Sequence, residues 1–249
     1  MSGLDVEISP RGVATLTLNR PERANAIDQA MLEALAQQCA ERGADDNTRV
    51  VVLRGNGRNF CGGADLSARR DGETPTVTLV DVLAALDRCA KPTVAVVQGA
   101  AVGGGAGLAA CCDVVIAVET AFFSIPEVRV GMAPLGVAPF MIRAMGHRAF
   151  RRYGLSGERF GAAEALRSGL VHEVAAADAI EERLAAIIDA LLHGAPGALR
   201  ELKAAMENDA MPSVTSILAR RMPHPPRSAE AIEGVASFKE KRKPNWYPQ

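Results

Sequence analysis

No Cys-x-x-Cys pair occurs among the five cysteines of this chain, Cys39, Cys61, Cys89, Cys111 and Cys112. The odd count, with most of them inside apolar runs, argues against a disulfide framework and a paired redox motif. It reads as buried free thiols in a reducing compartment. The four histidines, His147, His172, His193 and His224, fall at no ligand spacing, so no metal is assigned. No apolar run approaches the roughly 18–20 residues that a membrane span needs. The first residues, Met1-Ser2-Gly3-Leu4-Asp5, carry neither a basic region nor an apolar signal core. An excess of charge is lacking too: 28 Lys and Arg face 29 Asp and Glu, a net charge of −1. Nothing there argues for a nucleic acid or an anionic membrane as partner. The phosphate-binding pattern Gly-x-x-x-x-Gly-Lys-Ser/Thr is absent, and a dinucleotide-type Gly-x-Gly-x-x-Gly beginning at Gly103 fails at Leu108. The expectation is a cytoplasmic protein.

What is present is a chain of 249 residues, 48% hydrophobic and 23% charged. That suits one large domain, or one domain with a C-terminal extension, with a sizeable core. Ala14–Leu18 alternates as a half-exposed strand, and Val50–Leu53 is continuous, as in a strand buried on both faces. Asp28 is placed to cap a helix carrying Met31, Leu32, Leu35 and Cys39, with Gly43 as its end. Residues 67–76 are polar, with Gly and Pro, and read as a loop. Leu79, Leu83 and Leu86 mark a second helix; Thr93–Val97 and Val114–Val118 are further strands. From about residue 137 the pattern is helical. Asp178 and Glu181 resemble a capping box before the stripe Ile180, Leu184, Ile187, Ile188 and Leu191, which stops at Gly194. Pro196 suits a first helical turn. A Pro-rich break over 222–227 precedes a last helix capped by Ser228. Periodicity alone gives an α/β chain followed by helices, with no short solenoid repeat.

Two glycine-rich turns stand out: Phe60-Cys61-Gly62-Gly63-Ala64-Asp65-Leu66 and Val102-Gly103-Gly104-Gly105-Ala106-Gly107-Leu108. Each follows a β-branched apolar run. Two such turns without bulky side chains can aim two backbone N–H groups at one point and hold an oxyanion, which suits a polarised thioester carbonyl. The plainer alternative is a pair of tight turns or close helix–strand contacts.

The two turns resemble those of the crotonase superfamily, the enoyl-CoA hydratase/isomerase enzymes. Asn19-Arg20-Pro21-Glu22-Arg23-Ala24-Asn25-Ala26 is similar to the family's CoA-contact motif, Ile125-Pro126-Glu127 to its catalytic acid segment, and residues 233–244 to its C-terminal signature. The motifs run in the family's order from about residue 13 to residue 246. The resemblance implies an α/β fold, the ClpP/crotonase-like spiral of ββα units with a C-terminal helical region. It divides the chain into a core over 1–195 and a helical oligomerisation region over 196–249.

By the same resemblance, the backbone N–H groups of Ala64 and Gly104 form the oxyanion hole and Glu127 is the general acid/base. A site beside apolar Ile125 and Val128 would raise the pKa of Glu127; the plainer reading is a solvated loop carboxylate. Asp65 reads as structural, bonding its own loop. The resemblance places CoA against Arg23, Ala24, Ala26, Cys61, Gly62, Asp65 and Leu66, and against Phe238 and Lys241 from a neighbouring subunit. A solvated helix end also accounts for the run Lys239–Lys243. Val102, Gly105, Gly107, Val130 and Leu135 are the expected acyl-pocket positions. The CoA thioester is the substrate; no cofactor is expected.

Gly107 departs from the pattern, since typical hydratases carry a second Glu there. Its missing Cβ is expected to leave room for a branched acyl group. With the stretches 127–134, 139–146 and 151–160, it resembles the bacterial methylglutaconyl-CoA hydratase-like branch. The expected reaction is hydration of a branched or carboxylated enoyl-CoA. An enoyl-CoA isomerase and a non-catalytic acyl-CoA-binding paralogue are the alternatives. Arg129 and Arg143 are candidate partners for a distal carboxylate, against ordinary surface pairing. Trp246 and Tyr247 fit a subunit contact, in line with the family's trimers and dimers of trimers.

Overall fold

The computed structural model describes residues 2–65, 75–207 and 228–248. Leu66, the loop expected from residue 67 as far as residue 74, and the Pro-rich break over 222–227 lie outside the described residues.

The apolar runs become a six-stranded sheet. Its order is β1 (Leu4–Ile8), β2 (Val13–Leu18), β3 (Val50–Gly55), β4 (Thr93–Val97), β6 (Val114–Val118) and β9 (Glu173–Ala175). β1 pairs antiparallel with β2; every later neighbour is parallel. A second sheet joins β5 (Ala100–Val102), β7 (Phe122–Ser124) and β8 (Phe160–Gly161). Two isolated parallel bridges, Cys61 to Ala101 and Ala64 to Ile27, extend its edge.

The helices are α1 (Gln29–Ala44), α2 (Leu79–Asp87), α3 (Gly104–Ala110), α4 (Ala138–Ser156), α5 (Ala162–Ser168), α6 (Ile180–His193), α7 (Pro196–Glu207) and α8 (Ala229–Glu240). Each of four successive passes has one strand in the large sheet, one extended piece at the small sheet, and then a helix. These are β2, Ile27 and α1; β3, residues 61–64 and α2; β4, β5 and α3; β6, β7 and α4. This is the ββα spiral that the resemblance implied.

Strand periodicity explains the continuous apolar runs. Val51, Leu53, Ala95, Val97, Val115 and Ala117 face one core with α1 to α4. Val50, Val52, Val94, Val96, Ile116 and Val118 face the other, closed by Ile180, Leu184 and Leu192 of α6. Each of the Val, Leu and Ile side chains contributes about 1.5–3 kcal/mol on full burial.

The helix ends partly differ from the sequence reading. Asp28 does cap α1, accepting from Met31 N at 2.9 Å, and Ser228 caps α8 through Ala231 N at 3.0 Å. Gly43, however, stays inside α1, which runs to Ala44; Asp45 closes it by donating its N–H to Glu41 O. Asp178 does not cap α6. The N-cap is Ala179, held in a turn by its own N–H to Ala176 O, so no side-chain cap bond forms.

Trp246 and Tyr247 find their partners within the chain. Trp246 Nε1 donates to His193 O at 3.0 Å, and its carbonyl accepts from Arg49. Tyr247 hydrogen-bonds Asp189 through its hydroxyl and accepts from Arg11 at 2.7 Å. These contacts tie both aromatics to their own chain. No described helix is long and apolar enough to cross a membrane.

Candidate active site

The two glycine-rich turns lie side by side because their strands pair in parallel. Cys61 N donates to Ala100 O and Val102 N to Cys61 O, each at 2.9 Å. Residues 61 and 101 are therefore abreast, and equal steps along each strand lead to Ala64 and Gly104. The residue before each donor is a glycine at positive φ: Gly63 at +94° and Gly103 at +51°. L side chains rarely adopt that backbone, and it turns the next peptide out of the strand direction.

The direction of both N–H groups is set by the carbonyl of the same peptide. Ile27 N donates to Gly63 O at 2.7 Å. A trans peptide points its N–H opposite its C=O, so the Ala64 N–H faces away from Ile27. Gly103 O accepts from Gly107 N at 3.0 Å, so the Gly104 N–H leaves the N-terminus of α3. Among the described residues, no acceptor takes either N–H. Leu79 and Ile27 flank Gly104 with methyl groups. Donors in apolar surroundings act on a developing negative charge more strongly than donors in water.

Glu127 closes the group. It follows fully buried Ile125 and opens a 3-10 turn, Glu127–Val130. A Cβ on Gly103 would stand 2.6 Å from its Oε1, so the carboxylate rests directly on the second turn. Its Oε2 is buried with no hydrogen-bond partner among the described residues. Burial pushes the Glu127 carboxyl above the usual carboxylate range; a hydrogen bond to its own backbone opposes this. A carboxylate with an unsatisfied buried oxygen, beside two open N–H donors, can take and return a proton.

The motif over residues 19–26 turns out to be the scaffold of the first turn. Ala24 and Asn25 are both left-handed, with φ +52° and +56°. A non-glycine residue in that region costs on the order of 1–2 kcal/mol. The fully buried Asn25 offsets this: its Nδ2 donates to Asn56 O at 2.9 Å, Asn59 O at 2.8 Å and Phe60 O at 3.2 Å. Arg20 holds the far side, donating to Ala26 O at 2.6 Å and pairing with Asp28 at 3.1 Å and Asp65 at 3.0 Å. The sequence reading gave no role to Arg20 or Asn25. The one available signal was an Asn and an Arg inside a motif whose other contacts were assigned to backbone.

The other expected residues divide. Ala24 O accepts from Gly62 N at 2.8 Å, so the two candidate CoA-contact segments do meet. Asp65 is ion-paired to Arg20 at 3.0 Å. Arg23 is exposed in the turn Pro21–Arg23. Cys61 Sγ donates to Asn25 O at 3.2 Å, and burial pushes its thiol up to about 12. All five cysteines are free and buried. Gly105 allows a close approach, since a Cβ there would come 2.5 Å from Cys61 O. Val102 is half-buried, while Val130 and Leu135 are exposed after Glu127. Phe238 and Lys241 stand exposed on α8 and at its C-terminal cap.

Gly107 does not leave the room expected of it. A Cβ there would stand 2.8 Å from Val137 Cγ1 and 3.3 Å from both Leu83 methyls. Two buried apolar side chains already fill that space. Arg143 is paired with the Asp87 carboxylate, and Arg129 Nε donates to Ser156 O at 3.1 Å. Neither guanidinium is held toward Glu127 by these contacts.

A pair of open backbone N–H groups beside a half-buried carboxylate, on a ββα spiral, points to a class that the chain matches: it belongs to the enoyl-CoA hydratase/isomerase family, over residues 9–249. Among curated relatives, the 2,3-dehydroadipyl-CoA hydratase of Escherichia coli is 34% identical over 99% of this chain and 99% of that protein. The enoyl-CoA hydratase AFT6-1 of Alternaria alternata is 36% identical over 66% of this chain, which spans 56% of that protein's length. Among solved structures, Pseudomonas aeruginosa AtuE superposes with a TM-score of 0.90 at 36% identity, covering 98% of this chain and 99% of that one. An enoyl-CoA hydratase from Shewanella pealeana gives 0.87 at 33% identity, with 98% and 96% covered.

Proposed function

We propose that the protein adds water across the double bond of an enoyl-CoA thioester, with Glu127 as its single acid/base. The thioester oxygen accepts from the Ala64 and Gly104 N–H groups. Ionised Glu127 takes a proton from water as the oxygen attacks C3. Negative charge collects on the thioester oxygen as an enolate, where the two donors act most strongly. Glu127 then returns the proton to C2. The observation that carries this reading is the buried, unpartnered Glu127 oxygen against Gly103, beside two open N–H groups.

The proposed substrate is a branched or carboxylated enoyl-CoA. A relative named for 2,3-dehydroadipyl-CoA, whose acyl chain ends in a carboxylate, supports the carboxylated form. CoA is proposed to lie along residues 23–26 and 61–66. Phe238 is 85% exposed, in line with Ile232 and Val235 along α8. That apolar stripe supports a trimer or dimer of trimers, in which Phe238 and Lys241 reach a neighbour's CoA. A cytoplasmic location completes the proposal.

One observation favours a second reaction on the same groups. With Val137 and Leu83 filling the space over Gly107, no second carboxylate stands there to hold water. Glu127 could then move a proton from C2 to C4 and shift the double bond.

Turnover of crotonyl-CoA, 3-methylglutaconyl-CoA and a 3-enoyl-CoA, with products identified by mass, tests both. Gain of one water, lost in Glu127→Gln, is the expected result. Conversion of the 3-enoyl ester to its conjugated isomer without mass change would replace hydration by isomerisation.

A further inference from the structure

We propose that Arg20 is a positioning residue for the oxyanion hole, acting on the Ala64 N–H through two hydrogen-bonded peptides. The inference rests on the reading of Ala64 as an oxyanion donor.

The connection is continuous. Arg20 Nη1 donates to Ala26 O at 2.6 Å. The N–H of that same peptide belongs to Ile27 and donates to Gly63 O at 2.7 Å. The N–H of the next peptide is that of Ala64. A guanidinium thus stands at the head of two aligned peptide dipoles whose far end is the donor. Each hydrogen bond in such a chain polarises the next, and a charged donor bonded directly to Ala26 O strengthens the first link, against the opposing fields of Asp28 and Asp65.

The cation is fixed in place. Its Nη2 pairs at 3.0 Å with Asp65, whose own N–H donates to Ile27 O at 2.8 Å. Its Nη1 also pairs at 3.1 Å with Asp28, the cap of α1. The same guanidinium therefore fixes both flanks of the donor: residues 26–28 on one side and Asp65 on the other. The Arg20 side chain is 19% exposed and that of Asp65 is 8% exposed, so water screens the pair only weakly. The strained residues Ala24 and Asn25 lie inside the loop that Arg20 closes.

The test separates polarisation from simple loss of stability. Acetoacetyl-CoA is the probe, because its bound enolate absorbs in the near ultraviolet and reports negative charge on the thioester oxygen. In Arg20→Gln the enolate-to-keto ratio should fall about tenfold, a weakening and not the removal of one oxyanion donor. The kcat should fall in step, with KM for the enoyl ester nearly unchanged. Arg20→Lys keeps the charge but not the planar fork that serves Ala26, Asp28 and Asp65 together, and should fall between. Arg54→Gln, which breaks the exposed pair with Glu181, is the control for loss of a surface ion pair.

An unchanged enolate band in both Arg20 variants overturns the proposal, even with a lowered melting temperature, because a purely structural role would do just that. If Arg20→Gln fails to fold, Arg20→Lys carries the same readout. A wild-type protein that gives no enolate band removes the oxyanion reading, and the Arg20 role with it. A wild-type band that persists in the variants removes the Arg20 role alone.

Discussion

The Oε1 of Glu127 lies 2.6 Å from where a Cβ on Gly103 would stand, so this carboxylate occupies its position only because residue 103 is glycine. The same residue sits at φ +51° and turns the Gly104 N–H toward the site. One glycine thus serves both the acid/base group and an oxyanion donor. Gly103→Ala should push Glu127 aside and strain the turn together. The expected loss in kcat is at least about a hundredfold, comparable to removing an oxyanion donor. Steady-state kinetics beside a circular-dichroism melt would check it; wild-type kcat in a folded variant would contradict the placement.

Glu127 should titrate above the ordinary carboxylate range, since burial disfavours its charged form. Its stabilising contribution is therefore present below the unfolded-state pKa and is lost as pH rises through the folded pKa. Glu127→Gln should melt higher than wild type at neutral pH, and the gap should close toward acid pH. The kcat should fall by roughly 10²–10⁴-fold, as for loss of a general acid/base. Melting curves across pH check the first part, and an increased gap at low pH would reverse the sign.

Filling the space over Gly107 should be costly by itself. Gly107→Ala places a methyl 2.8 Å from Val137 Cγ1, and overpacking of this kind costs about 1–3 kcal/mol. Pairing it with Val137→Ala should recover most of that loss in chemical denaturation. Equal destabilisation by the single and double variants would show that Val137 does not fill the space.

Asn25→Asp keeps the shape but turns a donor into an acceptor facing Asn56 O, Asn59 O and Phe60 O. The expected cost is about 2–3 kcal/mol from repulsion and lost bonds. Activity should fall further than the fraction folded, because the first turn loses its inner support. A urea titration together with kcat on the folded fraction would decide this.

Much of the fold could be read locally. Val50–Gly55, Thr93–Val97 and Val114–Val118 lie where unbroken β-branched runs placed them, and Asp28 and Ser228 cap the helices they precede. Gly43 and Asp178 misled because a helix end depends on which groups are free at that turn, and at both ends backbone bonds had taken the role. The intrachain bonds of Trp246 and Tyr247 could not be read locally, because Arg11, Arg49, Asp189 and His193 converge on them from far along the chain. Gly107 misled in the same way: an absent side chain signals space only until Val137 and Leu83 are known to fill it.

By itself the sequence determined four central strands, the main helix stripes and the two glycine-rich turns, since these rest on short-range spacing and backbone preference; Glu127 as the candidate acid/base came from the family resemblance. Only the tertiary structure decided that Cys61 and Ala101 stand abreast, and hence that Ala64 and Gly104 present their N–H groups together. It alone put Glu127 on Gly103 and Arg20 between Ala26 and Asp65. Such juxtapositions join residues far apart in the chain, and parallel register and close packing fix them, which no local period encodes.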